Sequence, residues 1–502
     1  MVDKNEQVAI ADLMQCSGVG FGTSGVRGLA ACMTDRVCYA YTVAFLQHLE
    51  KQGIIHPGDE VLIGGDLRSS TPRIMAACLR AATGLGYRAI HGGALPTPAV
   101  ANLGLRRGIA SLVVTGSHIP DDRNGIKFYR PDGEIIKDDE IAIRQQQVML
   151  PRALFDERGM AKKPFELPPV DGIAYRKYLA RYLDFFPPDC LAGMRALLYA
   201  HSSVAAEPLS EILEGLGADV VVVGRSETFV PVDTEAIRAE DVALAREWAA
   251  GHDFDLIVSA DGDGDRPLIG DERGEWLRGD VLGALVAHWL HADAVVTPVS
   301  SNTSLERSGW FERTLRTRIG SPFVIAGMRE LAEEGVRQVV GYEANGGFLT
   351  WHDFRCDGRV LPALPTRDAV ITAIVVLLLA RRQGLPLSGL PACLPARFTA
   401  SNRLTAFPTQ QAQARITALA AGGRAYIEAE LAPLRLGELT LIDHTDGLRL
   451  TFANGEIVHL RPSGNAPELR CYNEADSAAR ARELNAACMH LLDGWRVAEV
   501  AS

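Results

Sequence analysis

Short apolar runs rich in β-branched residues recur along the chain, and each gives way to small and polar residues. They are EVLIGGD (60–66), ASLVVTGS (110–117), LIVSADGDGD (256–265), AVVTPVSSNT (294–303) and QVVGYEANGG (338–347). A run that is apolar at every position is the pattern of a strand covered on both faces. Between the runs lie helix-like segments such as 71–85 and 208–217. Strands alternating with helices predict an α/β protein with parallel sheets, whose ligands gather beyond the carboxyl ends of the strands. The loops that close these runs are therefore where chemistry is expected. From about residue 396 the pattern changes. Strand-like EIVHLRPS (456–463) and ELRCYNE (468–474), then an amphipathic helix over 477–497, predict a smaller α+β domain.

At 502 residues the chain is long enough for three domains, or four small ones. Pro-rich stretches at 163–169 and 383–395 read as linkers, and a further boundary is placed near 270–279. A charged fraction of 23% against 47% hydrophobic residues fits a globular protein and argues against disorder. The net charge of −11, with no Lys/Arg-rich block, argues against nucleic acid as a partner. Nine cysteines stand singly with no CxxC pair, so neither a disulfide framework nor a cysteine zinc site is expected. The first ten residues lack the apolar core of a signal peptide. The longest apolar stretch, 369–380, is too short to span a bilayer and reads as a core helix. These features predict a cytoplasmic protein with no membrane partner.

Five loops carry candidate chemistry. In DGDGDR (261–266), side chains alternate if the segment is extended, so Asp261, Asp263 and Asp265 converge on a hard cation such as Mg²⁺. An EF-hand is argued against by Arg266, which stands where that loop needs glycine. In TGSHIP (115–120), Ser117 sits at a strand-to-loop corner beside His118. That pair suits a nucleophile with an acid/base partner, but for such a pair taken alone a helix-capping serine with a surface histidine is the commoner case. The surroundings are not the GxSxG of a hydrolase elbow. GFGTSGVRG (20–28) matches GxGxxG formally, but no strand precedes it and no helix opens from it, so Arg27 and its small neighbours suit an oxyanion better than a dinucleotide. RPSGNAPELR (461–470) offers Arg461, Ser463, Gly464, Asn465 and Arg470, a phosphate clamp of guanidinium forks and turn N–H groups. In GYEANGG (341–347), Glu343 and Asn345 are placed to bond neighbouring sugar hydroxyls.

Together, in this order, these loops resemble the signatures of the α-D-phosphohexomutase superfamily, within it the phosphomannomutase/phosphoglucomutase branch. GGDLRSSTP (64–72) and ALPTP (94–98) are similar to two supporting motifs, and the likeness runs from Phe21 to about Ala475. The resemblance implies four domains around a central cleft, three of them α/β mixed-sheet domains and the fourth a smaller α+β domain. Their expected bounds are 1–162, 163–272, 273–390 and 391–502. It implies Ser117 as a phosphoserine, with Mg²⁺ held by Asp261, Asp263, Asp265 and a phosphate oxygen on Ser117. Arg27 and Arg266 would stabilise the transferring phosphoryl group, and His118 and Lys127 stand where acid/base groups are kept. Glu343 and Asn345 would take the sugar hydroxyls, and Arg461, Ser463, Gly464, Asn465 and Arg470 the phosphate that is not reacting.

The implied activity interconverts hexose 6-phosphate and hexose 1-phosphate through a hexose 1,6-bisphosphate, which is both intermediate and activator. Mannose phosphates are the first expectation, with glucose or glucosamine phosphates as the alternative and a sugar-phosphate-binding regulator as the non-enzymatic one. A monomer or homodimer is expected. The chain departs from the family pattern at several places. Gly116 stands for Ala, Ile119 for Asn, Asn345 for Ser, Gly347 for a common His, and Asn465–Ala466 for Thr-Glu. With that His missing, His118, Lys127 or His352 is left as the acid/base group.

Overall fold

In the computed structural model, residues 5–22, 25–463 and 467–496 are described. The chain forms two compact units, one from Met1–Gly279 with Asn345–Ser388, the other from Asp280–Ala344 with Gly389–Ser502. The expected third domain, 273–390, is thus shared between them.

The first unit begins with a sheet in which Arg88–Ala94, at one edge, Glu60–Gly65 and Ala110–Val114 run parallel. Every residue of Ala110–Val114 is buried, as its unbroken apolar run requires. The helices Asp35–Lys51 and Thr71–Gly84 supply buried apolar faces to the same core. The sheet is not wholly parallel. Arg123–Arg130 returns antiparallel to Ala110–Val114, and Val26–Leu29 pairs antiparallel beyond it. The reason is connection length: residues 115–122 suffice for a hairpin, whereas a parallel crossover takes about a dozen residues or more. A second sheet repeats the device. Asp219–Arg225, Arg195–His201 and Leu256–Ala260 are parallel, and Pro267–Gly270 turns back antiparallel after 261–266. In both sheets a short hairpin connection carries the candidate residues, which fixes them more firmly than a long loop would. The remainder of this unit pairs Phe348–Thr350 with Leu364–Asp368 and continues into the helix Val370–Gln383. Among the described residues no single helix is long and apolar enough to cross a membrane, and Val370–Gln383 is buried along most of its length. The stretch read as a linker at 383–395 contains a 3₁₀ segment, Leu387–Cys393.

In the second unit, Arg313–Thr317, Ala294–Pro298 and Val339–Tyr342 are parallel neighbours. Residues from Phe398 on form a five-stranded antiparallel sheet, with Leu469–Ala475 and Ile457–Pro462 paired near its middle. Leu448, Leu450 and Phe452 alternate with half-buried Arg449 and Thr451, the period of a sheet with one dry face. That face packs on Leu484, Cys488 and Leu492 of the closing helix Ala478–Gly494, which Ser477 caps through the Arg480 N–H. This is the α+β tail expected from the sequence.

Candidate functional site

Ser117 follows the strand Ala110–Val114 and takes a left-handed φ of 56°. For a residue with a Cβ that conformation costs about 1–3 kcal/mol and persists only where neighbours impose it. They do. The Ser117 N–H donates to Thr115 Oγ1 at 2.7 Å, and its carbonyl accepts from Arg68 Nη2 at 2.8 Å. Arg68 is fully buried, and all five of its N–H donors are used: Nε on Asp66, Nη1 on the carbonyls of Pro120 and Arg123, Nη2 on those of Ser117 and Ile119. Asp66 in turn accepts from Thr71, Thr115 and the Gly116 N–H. A Cβ on Gly116 would come within 2.6 Å of Arg68 Cζ, so the departure from Ala at this position makes room for the guanidinium.

The buried Ser117 hydroxyl donates to Asp261 Oδ2 at 2.7 Å and lies 3.3 Å from His118 Nδ1. Asp261, Asp263 and Asp265 do converge, but not by alternation along an extended strand. The segment is a tight turn, with the Asp261 N–H on the Arg266 carbonyl at 3.0 Å and the Gly264 N–H on the Asp261 carbonyl at 3.0 Å. Gly262 lets this turn approach Ser117, since a Cβ there would stand 2.9 Å from the Ser117 carbonyl oxygen and 2.6 Å from the Phe229 ring. One oxygen from each carboxylate lies within 4.8 Å of the others, close enough to share a metal ion. The donor set fits a hard cation: three buried carboxylates, with Asp263 Oδ1 and Asp265 Oδ1 accepting no hydrogen bond.

Cations face this cluster. Lys127 Nζ lies 2.6 Å from Asp263 Oδ2 and 2.7 Å from Asp265 Oδ2. Burial works against its charge, but the two carboxylates outweigh burial and raise its pKa. Arg266 Nη1 donates to His118 Nδ1 at 2.9 Å, and Arg367 Nη2 to Asp265 Oδ2 at 2.8 Å. Arg27, on the strand Val26–Leu29, reaches the Gly116 carbonyl at 3.5 Å, and burial and Arg266 lower its pKa to about 10, which leaves it charged at neutral pH. Burial, followed by Arg266, pushes His118 down to about 3, so its imidazole is neutral. Burial and the neighbouring Asp263 raise Asp261 well above the carboxylate range. In Asp263, burial and Asp265 push upward, but Lys127 and Thr97 prevail and hold it low. Burial likewise opposes ionisation of Asp265, and Arg367, Lys127 and Arg266 overcome it.

The site residues expected in the first unit therefore come together, apart from Asn345. That residue accepts the Gly347 N–H on its own Oδ1 at 3.0 Å, and its carbonyl accepts Thr234 Oγ1. In the second unit, Glu343 follows the strand Val339–Tyr342 and is buried. Arg461 and Arg470 are direct cross-strand partners, so two guanidinium groups share one face. Like charges so placed repel unless anions intervene. Asp446 lies 2.9 Å from Arg461 Nε, and Glu468 lies 3.4 Å from Arg470 Nη2. The Ser463 N–H donates to the Glu468 carbonyl at 2.8 Å. Gly464 and Asn465 lie outside the described residues. No role is read from the sequence for Asp66, Arg68, Thr97, Arg367 or Asp233, whose carboxylate faces His118 and Arg266. Asp66 and Arg68 stand in the motif GGDLRSSTP and Thr97 in ALPTP, which was the available signal.

A serine held in a strained conformation, bonded to the first of three metal-competent carboxylates and faced by four cations, has the layout of a phosphoryl-transfer centre. Family models agree. Phosphoglucomutase/phosphomannomutase α/β/α domains I, II and III match residues 18–148, 174–274 and 278–398, and the C-terminal domain of the same family matches 406–491. The chain is 45% identical to a phosphomannomutase of Sinorhizobium fredii over 96% of its length and 100% of that protein. It is 42% identical to a phosphomannomutase of Salmonella muenchen, covering 93% of this chain and 94% of that one. A solved phosphoglucomutase/phosphomannomutase family protein from Burkholderia thailandensis shares the fold at a TM-score of 0.69 and 20% identity, over 95% of this chain and 98% of that one. The chain belongs to the phosphoglucomutase/phosphomannomutase family, in the α-D-phosphohexomutase superfamily, and has its four-domain α/β organisation. It is a mutase.

Proposed function

We propose that this mutase interconverts mannose 6-phosphate and mannose 1-phosphate through phosphorylated Ser117, with glucose phosphates as slower substrates. The observation that carries the mechanism is the 2.7 Å contact of Ser117 Oγ with Asp261 at the rim of the carboxylate cluster. The substrate class is supported by the 45% and 42% identities to phosphomannomutases.

On this reading the bond from phosphorus to Ser117 Oγ breaks as a bond from phosphorus to the substrate's free hydroxyl oxygen forms. The substrate hydroxyl gives up one proton and Ser117 Oγ takes one up, so the exchange balances. His118 Nδ1, 3.3 Å from Ser117 Oγ, is the atom proposed to relay that proton once Arg266 Nη1, which donates to it at 2.9 Å, turns to the transferring phosphoryl group. Lys127 is anchored on two carboxylates and serves as a fixed charge. Asp261, Asp263 and Asp265 would hold Mg²⁺, which when bound neutralises charge on the transferring group. Arg27 and Arg266 line the same place and stabilise that charge. Glu343 and Asn345 are proposed to hold the sugar, and Arg461, Ser463, Gly464, Asn465 and Arg470 the distal phosphate. The resulting hexose 1,6-bisphosphate presents its other phosphate to Ser117, which completes the isomerisation.

The test is a coupled assay comparing kcat/KM for mannose 1-phosphate, glucose 1-phosphate and glucosamine 1-phosphate, with Mg²⁺ and a trace of the bisphosphate. Mannose 1-phosphate is expected to be preferred. A preference for glucosamine 1-phosphate would overturn the substrate assignment, and turnover of none would favour a sugar-phosphate-binding regulator.

A further inference from the structure

Two of the three carboxylates in the 261–266 turn have one oxygen tied down and the other open. Asp263 Oδ2 accepts Thr97 Oγ1 at 2.6 Å and Lys127 Nζ at 2.6 Å. Asp265 Oδ2 accepts Lys127 Nζ at 2.7 Å, Arg367 Nε at 3.2 Å and Arg367 Nη2 at 2.8 Å. Oδ1 of each is buried and accepts no hydrogen bond. The hydrogen-bond donors thus crowd one oxygen of each group and leave its twin without one, although Arg266 Nε lies 3.7 Å from Asp265 Oδ1.

That asymmetry has a chemical consequence. Ca²⁺ takes six to eight oxygens and often grips a carboxylate through both, whereas Mg²⁺ takes six at shorter distance and is satisfied by single oxygens and water. A carboxylate whose second oxygen is held by cationic donors cannot turn to offer both.

Arg367 reaches Asp265 from a distant part of the chain, and Gly347 makes this possible. A Cβ at 347 would stand 2.5 Å from Arg367 Cδ, 2.6 Å from Cγ and 2.9 Å from Cβ. The stem of Arg367 therefore occupies the space into which a side chain at 347 would project. The glycine found where a histidine is common in the family is the counterpart of this arginine.

We propose that Arg367, admitted by Gly347, is a positioning residue that clamps Asp265 Oδ2, so that the turn offers single carboxylate oxygens and selects Mg²⁺ over Ca²⁺. The proposal rests on the reading of 261–266 as the metal turn. Thr97 does the same for Asp263 from the other side.

The experiment uses the full-length protein with bound Mn²⁺, an octahedral oxygen-seeking ion, followed by electron paramagnetic resonance while Mg²⁺ or Ca²⁺ displaces it. The quantity read is the ratio of the two displacing affinities, independent of turnover. Arg367→Gln should move this ratio toward Ca²⁺ by about tenfold, the lower end of what outer partners of metal ligands contribute. Arg367→Lys, which keeps the charge but offers a single nitrogen, should fall between. Gly347→Ala changes no charge yet displaces the arginine stem, and should move the ratio the same way. Thr97→Val, nearly isosteric, carries the same test on Asp263 if the other variants do not fold. An unchanged ratio in Gly347→Ala and Thr97→Val would overturn the clamp, as would equal tightening of both ions in Arg367→Gln, which a lost positive charge alone would give. If the wild-type chain bound no Mn²⁺, the metal reading itself would fall, and the clamp with it.

Discussion

Replacing Arg68 by Met removes a guanidinium that nothing else in the Ser117 loop can replace. Four carbonyls, those of Ser117, Ile119, Pro120 and Arg123, lose a donor at 2.8, 2.5, 2.6 and 3.0 Å, and Asp66 loses its buried ion pair at 3.1 Å. Removing one partner of a buried pair costs about 3–5 kcal/mol. A carbonyl left buried without a donor adds about 1–3 kcal/mol, although those at the loop's outer edge can turn to water. With only the Ser117 carbonyl left buried, a total loss of about 4–8 kcal/mol is expected, with most of it confined to 116–123. The Arg68 guanidinium also lies 3.9 Å from the centre of the Phe229 ring, and that contact is lost too. The more telling effect is on Ser117. Its φ of 56° is held by the Arg68 bond to its own carbonyl and by Thr115. Once released, the residue relaxes toward ordinary backbone angles and Oγ leaves its place beside Asp261. A displacement of about 1 Å at a reacting atom costs about 10²-fold in rate. We therefore expect kcat to fall at least that far while KM for the sugar phosphate changes by less than threefold, together with a lower urea midpoint. The assays are steady-state kinetics on mannose 1-phosphate and chemical unfolding of the same preparation. Turnover within threefold of wild type would refute the argument, and so would a rise in KM that accounts for the loss in kcat/KM.

Three further outcomes follow from the same geometry. Ser117→Ala should lower turnover by more than about 10³-fold yet leave sugar-phosphate binding, read by calorimetry, nearly intact; retained turnover with hexose 1,6-bisphosphate present would sink the phosphoserine assignment. Chelation should abolish activity and Mg²⁺ should restore it, whereas Asp263→Asn should need more Mg²⁺ for half-maximal rate and reach a lower plateau; full activity in chelator would remove the metal from the mechanism. In the second unit, burial depresses His459 to about 4, and the ring bonds the Asp446 carbonyl at 2.6 Å. The unfolded chain protonates this histidine near pH 6.5 and the folded one does not, so its contribution to stability is full above pH 6.5. It falls by about 1.4 kcal/mol per pH unit down to about pH 4. Between pH 7 and 5 the urea midpoint should drop less in His459→Gln than in wild type, and equal drops would contradict this assignment.

What the sequence made legible was local. An all-apolar run such as ASLVV reads as a doubly covered strand, and Ser117 and the three aspartates stand together in short motifs, so one letter pattern names both element and chemistry. Two kinds of feature escaped. The first was geometry within a motif. Alternation along an extended strand accounts for convergence of Asp261, Asp263 and Asp265, but the chain achieves it by a six-residue turn closed between the Asp261 N–H and the Arg266 carbonyl. The second was anything set by long-range contact. Arg68 lies under a loop some fifty positions away, and Arg367 meets Asp265 across a hundred. Lys127 read as an acid/base candidate, and its contacts with Asp263 and Asp265, which the sequence does not reveal, are what support the proposal that it serves as a fixed charge. These contacts also resolve the problem posed by a net charge of −11, which would repel a phosphosugar. Around the proposed site, with Asp261 ionised as a bound cation would require, Arg27, Lys127, Arg266 and Arg367 face Asp233, Asp261, Asp263 and Asp265, and the protein's own charges balance. On the proposed reading a divalent cation adds two positive charges, matching a phosphoryl group that carries about two negative ones. The site is then attractive to its substrate only when both metal and phosphate are considered, and that condition ties rate to Mg²⁺ more strongly than three carboxylates alone would.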